Sequence, residues 1–153
     1  MAANASKDKG NRGEILVRDA LRKATGLKWE KTPLSGALNP VHGLGSDLYV
    51  PNSMNIYSVE VKNYMESHVG PELITSKSPI LKGWWDQVTK SAKDTNKLPL
   101  LIFRHNRSKL FVCFQGMLEG DSNHMYLIRD DMPEVCICLL EDWITHNEPK
   151  FIK

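Results

Sequence analysis

Nowhere in this 153-residue chain does an apolar run approach the roughly 18 residues that a membrane-spanning helix needs, which excludes an integral helical membrane protein. The opening stretch, Met1 to Lys9, is small and polar and lacks the apolar core of a secretory signal. Cysteine is scarce. Cys113, Cys136 and Cys138 are odd in number and lie in apolar runs, with no CxxC pair and no histidine cluster beside them. That pattern argues against a disulfide framework, a structural zinc site and a Cys–His nucleophile pair; it suits reduced core residues of a cytoplasmic protein. There is also no internal repeat and no low-complexity tract. What is present is 41% hydrophobic and 25% charged residues in 17.4 kDa, the proportions of a single globular domain spanning 1–153.

The formal charge of +2 conceals an uneven distribution. Residues 1–116 carry 17 Lys/Arg against 10 Asp/Glu, and residues 117–153 carry 3 against 8, a segment of net −5. The basic body suits a polyanionic partner such as nucleic acid and equally an ordinary solvated surface.

Patterning divides the chain into alternating elements. Residues 1–10 read as a flexible basic start. From Asn11 to Thr25, Val17, Ala20, Leu21 and Ala24 recur at i, i+3, i+4 and i+7, one face of a helix that Gly26 ends. Leu27 to Thr32 alternates as a strand, and Pro33 to Ser46 is a long loop of the kind that often carries function. Two β-type runs follow, Asp47–Val50 and Ile56–Lys62; Asn63–Pro79 has no clean period and reads as a mobile connection. Ile80–Asn96 forms a second helix; Trp84 and Trp85 cannot both be central to one apolar stripe, and core packing is the reading for both, with base stacking or a dimer contact the alternative for one. Leu98–His105 and Lys109–Phe114 make a hairpin. The acidic segment 117–153 adds strands at Met125–Arg129 and Val135–Leu140 and a helix near Glu141–His146, as an extension packed on the core. The fold class is α/β, a mixed sheet flanked by helices.

Chemistry concentrates in the two central runs. Alternation along Ile56–Lys62 sends Tyr57, Val59 and Val61 to one face and Ser58, Glu60 and Lys62 to the other. If the preceding strand pairs with it, Asp47 lies beside Glu60. Two carboxylates held so close repel unless a cation sits between them, and oxygen donors suit a hard divalent ion, Mg²⁺ above all. Lys62 could then orient a water toward a phosphodiester. The same residues are compatible with a solvated Glu60–Lys62 pair beside an unrelated turn aspartate. Asn11-x-x-Glu14 reads as a capping-box-like helix start.

Lys9-Gly10-x-Arg12-x-Glu14, Ser35-Gly36, Gly45-Ser46-Asp47, Glu60-Val61-Lys62 and Gln87 occur in the order found in the PD-(D/E)XK nuclease superfamily, and most resemble the archaeal-type, Hjc-like Holliday-junction resolvases. One departure is Ser46, where a proline usually precedes the aspartate. The resemblance implies a restriction-endonuclease-like core and a metal-dependent endonuclease active in DNA recombination or repair. Asp47, Glu60, the Val61 carbonyl and Glu14 would hold Mg²⁺, with Mn²⁺ able to substitute, and Lys62 would position the attacking water. Ser35 would touch the DNA backbone near the scissile bond. Lys9 and Arg12 would meet phosphates at the first helix's N-terminus, and Gln87 would turn toward the site. A homodimer would nick two strands of a four-way junction, leaving 5′-phosphates and 3′-hydroxyls, in a cytoplasm that is the host's if the protein is virus-encoded. Alternatives within reach of the same residues are another nuclease of the superfamily (a nickase, a repair or a restriction-type enzyme) and a DNA-binding module that does not cut.

Overall fold

The computed structural model describes residues 2–33 and 46–153, with side chains from residue 9 onward. Among the described residues eleven elements follow in chain order: α1 (Ala2–Thr25), β1 (Glu30–Lys31), β2 (Leu48–Tyr49), β3 (Tyr57–Tyr64), α2 (Glu72–Thr75), α3 (Ile80–Asp94), β4 (Leu98–His105), β5 (Phe111–Phe114), β6 (His124–Arg129), β7 (Met132–Leu139) and α4 (Leu140–Asn147). The strands form one seven-stranded sheet in the order β1-β2-β3-β4-β5-β7-β6. Only β3 and β4 run parallel, joined through α3; every other neighbouring pair is antiparallel. The fold is therefore α/β, a mixed sheet with helices on its faces.

Both faces of the sheet are covered, and the two-residue period sorts the strands' apolar side chains between them. One cluster unites Val17 and Leu21 of α1 with Val59, Leu100, Ile102, Val112, Cys136, Cys138 and, from α4, Trp143. The other unites Leu81, Trp84, Trp85 and Val88 of α3 with Leu101, Phe103, Cys113, Val135 and Ile137. All three cysteines are buried and free. Residues 117–153 supply β6, β7 and α4 to this sheet and core: Trp143 packs edge-on to Tyr57 at 5.7 Å, and Phe151 edge-on to Trp29 at 5.2 Å.

Two readings change. The first helix begins at Ala2 rather than Asn11, so the stretch expected to be a flexible start is helical from Ala2. The Ala, Ser, Lys and Asp residues there contain no proline to stop a helix propagating backwards. The segment after β3 is not simply a connection, since β3 itself runs on to Tyr64 and α2 follows. Trp84 and Trp85 are both buried in the core, at 7% and 1% exposure, in keeping with the core packing read for both. Tyr64 stacks over Trp84, so α3 is covered along a side as well as beneath.

Close approach of α1 to β3 depends on Gly13. A Cβ there would stand 2.6 Å from the Cβ of Asn63, closer than two carbons can sit. The Asn63 amide reaches the same helix, donating from Nδ2 to the Lys9 carbonyl at 2.9 Å. This contact brings Glu14, one residue beyond Gly13, to the neighbourhood of β2 and β3.

Candidate active site

Asp47 is placed by backbone bonds on both sides. Its N–H donates to the Val59 carbonyl at 2.8 Å, and its carbonyl accepts from the Thr32 N–H at 2.9 Å. Its side chain is also held: Oδ2 accepts from the Val61 N–H at 2.8 Å. That bond aims the carboxylate at β3, where Glu60 lies on an interior strand of the sheet, opposite Leu101 of β4. Glu60 is 6% exposed. Burial, followed by the charge of Asp47 and a hydrogen bond between the two carboxyl groups, pushes its carboxyl up to about 9, against the opposing pull of Lys62. At neutral pH the Asp47–Glu60 pair therefore holds a proton where two bare carboxylates would repel.

Glu14 joins from α1. Its carboxyl is also held above the usual range, by burial first and then by the charge of Asp47, while Lys31 pulls the other way. The Lys31 ammonium lies 3.2 Å from Glu14 Oε2 and donates to Asn11 Oδ1 at 2.8 Å. Asn11 and Glu14 thus sit within the helix, and the capping-box reading falls, because capping satisfies N–H groups only at a helix end. The placement of Lys9 and Arg12 at a helix N-terminus falls for the same reason. Arg12 is exposed on α1.

On the α3 side, the Lys62 ammonium donates to Gln87 Oε1 at 2.9 Å. The helix carries Gln87 there because Leu81, Trp84, Trp85 and Val88 seat α3 on the sheet and Gln87 lies on the flank of that buried stripe, one turn on from Trp84. Asp47, Glu60, Lys62, Gln87 and Glu14 accordingly converge from the bend before β2 and from β3, α3 and α1. Ser35 lies outside the described residues. Ser46, standing where a proline is usual, is buried and donates from Oγ to the Leu48 carbonyl at 2.9 Å, which makes its own tight turn into β2.

These donors suit a hard divalent cation. Among the described residues no three carboxylate, imidazole or thiolate groups form a ready-made cage. Two carboxyl groups hydrogen-bonded to each other, one of them buried, still occupy a place that a cation would fill by displacing the shared proton. The chemistry available to the site is stabilisation of charge on a phosphate and positioning of a water by a fixed ammonium.

Lys31, Asn63 and Arg104 escaped the reading of the sequence. Arg104 donates from Nε to Asn63 Oδ1 at 3.2 Å and so braces the residue that meets α1. Lys31 did leave a signal: it shares the inward side of the alternation with Leu27 and Trp29, an odd position for an ammonium without a partner.

Comparison with known proteins places the chain in a family. The chain is 36% identical over 149 residues to Protein D14 of Escherichia phage T5, covering 92% of each. Among solved structures it is similar to Hjc of Archaeoglobus fulgidus, a Holliday junction resolvase, at 16% identity and a TM-score of 0.42 over 90% of this chain and 89% of that one. A family model described as "Phage putative PDDEXK endonuclease" matches residues 5–153. By the extent of that match and the identity to the phage T5 protein, the chain belongs to the phage PDDEXK endonuclease family.

Proposed function

We propose that the protein is a Mg²⁺-dependent endodeoxyribonuclease that cuts branched DNA, four-way junctions foremost, as a symmetric homodimer. The observation that carries this reading is the contact between the Asp47 and Glu60 carboxyl groups, with the Lys62 ammonium two residues along the same face of β3. Asp47, Glu60 and the Val61 carbonyl, joined by Glu14, would hold the ion, with Mn²⁺ able to replace Mg²⁺. Mg²⁺ keeps several of its own waters and takes one or two protein carboxylates, which suits a site without a full protein cage. When bound, the ion supplies positive charge to a phosphate oxygen and makes an adjacent water more acidic.

The remaining work belongs to the chain. Lys62, its ammonium steadied by Gln87, orients the attacking water and offers a proton to the phosphate oxygens. Water adds to phosphorus, the bond to the 3′ oxygen breaks, and the water's proton ends on that oxygen. The products are a 5′-phosphate and a 3′-hydroxyl. Lys9, Arg12 and Ser35 would hold the flanking backbone, and two copies would place two such sites on matched strands.

The test is to incubate the protein with Mg²⁺ and either a synthetic four-way junction or a linear duplex of the same sequences, with a chelated control. Faster cutting of the junction, abolished by chelation, is expected. Equal cutting of both would remove the junction preference; cutting that persists with chelator would remove the metal.

A further inference from the structure

The face of β3 that carries Glu60 and Lys62 ends in an aromatic group that hydrolysis does not use. Alternation puts Glu60, Lys62 and Tyr64 on one side of the strand, and exposure rises from 6% at Glu60 to 42% at Tyr64. The Tyr64 ring stacks on Trp84, with centroids 5.0 Å apart and planes 28° apart. Trp84 is itself buried in the α3-side core, so the floor beneath Tyr64 is fixed. His68 stands 5.8 Å from Tyr64 and 5.2 Å from Trp84, nearly perpendicular to both. A ring covering the outer face of Tyr64 would lie roughly twice as far from Trp84 as Tyr64 does. His68 is therefore beside the pair, and that outer face is left uncovered by it.

The surroundings favour a nucleotide over an apolar partner. The Asn106 N–H donates to the Tyr64 carbonyl at 2.8 Å, which ties the end of β3 to the turn that carries Arg107. Glu66 is the single acid in residues 63–69. An exposed aromatic face on the same side of a strand as an ammonium, here that of Lys62, is what single-stranded nucleic acid uses, the base on the ring and the phosphate on the cation. Tyr64 lies two residues beyond Lys62, about 6.7 Å along a strand, or one to two nucleotide steps at the rise of B-DNA. In an intact duplex each base is covered on both faces by its neighbours. A base can meet Tyr64 only where the stack is broken.

We infer that Tyr64, braced by Trp84, is a stacking site for an unstacked base within two nucleotides of the scissile phosphate, and that it selects DNA with a disrupted stack over continuous duplex. The inference rests on the nuclease reading above and names the feature of branched DNA that this chain would recognise.

The test uses 2-aminopurine, a base whose fluorescence is quenched by stacking, placed one or two nucleotides to either side of the cut. It is introduced into a four-way junction and a matched linear duplex, both bound by full-length protein carrying Asp47→Asn to prevent turnover. Tighter binding to the junction, with quenching there at one of these positions, is expected. Tyr64→Leu, which still covers Trp84, should remove the quenching and weaken junction binding about tenfold while changing duplex binding less than twofold; Tyr64→Phe should retain both properties. A Tyr64→Leu protein that unfolds at the parental temperature yet keeps the quenching and the preference overturns the inference and leaves the nuclease reading intact. Should Tyr64→Leu fail to fold, the Asp47→Asn protein decides alone, since probes that stay bright at every position on the bound junction also overturn it. A parent protein that neither binds nor cuts either DNA overturns both readings.

Discussion

Glu60 and Cys113 occupy one row of the sheet, two strands apart, each aligned with Leu101 on the strand between them. Both are buried, and burial is the largest influence on each, pushing the carboxyl and the thiol toward their neutral forms. Their neighbours differ. Cys113 is enclosed by Leu101, Phe103, Ile137 and the aromatic side chains of α3, and its thiol is simply a small apolar group. Glu60 faces Asp47, Lys62 and Glu14, so a proton or a cation at its oxygens changes the energy of several groups at once. Burial alone makes a quiet core residue; burial beside convergent charges makes a site with something to exchange.

The sharpest way to break this contrast is to remove charge on the Glu60 side. Asp47→Asn or Lys62→Ala should lower cleavage by about a thousandfold with DNA binding kept within severalfold, read from single-turnover cleavage and binding titrations. Cleavage at the parental rate by both variants would move the site elsewhere. On the other side of the row, Cys113→Ser leaves a hydroxyl in an apolar cluster and should cost about 1–3 kcal/mol of stability in denaturant titration, with the rate per folded molecule unchanged.

A third experiment compares the two groups through pH. The Glu60 carboxyl titrates near 9 in the folded chain and near its ordinary 4.5 when unfolded, so the folded state holds its proton more tightly. This contribution to stability is complete below about 4.5 and is lost as pH rises toward 9. The metal-free protein should melt at progressively lower temperature across that window, and Glu60→Gln should flatten the slope. A slope unchanged by Glu60→Gln would assign it to other groups. The smallest effect belongs to Lys31, whose partly exposed ion pair with Glu14 competes with any cation for the same carboxylate. Lys31→Met should lower the Mg²⁺ concentration needed for half-maximal cleavage by up to about fivefold, the scale of such a pair; an increase would show that Lys31 supports the ion rather than opposing it.

Particular residues mark what could be read in advance. The shared face of Glu60 and Lys62 was legible because a strand's period is two, and Asp47 because its run was short and adjacent. Gln87 was reached through the family pattern, and the structure places it on Lys62. The start of α1 was misread because a polar helix without an apolar stripe gives no periodicity to detect. Trp84 is covered by Tyr64, distant in sequence from α3, and no pattern within the helix announces that cover.

The sequence by itself determined which side chains share a face of each element, since backbone geometry sets the periods of strand and helix whatever the surroundings. Tertiary structure alone decided which faces meet. The bond from the Val61 N–H to Asp47, the approach of Glu14 over Gly13 and the ion pair from Lys31 join residues far apart in the chain. Such meetings follow from how two apolar surfaces close on one sheet, and packing of that kind depends on the whole molecule rather than on any local stretch.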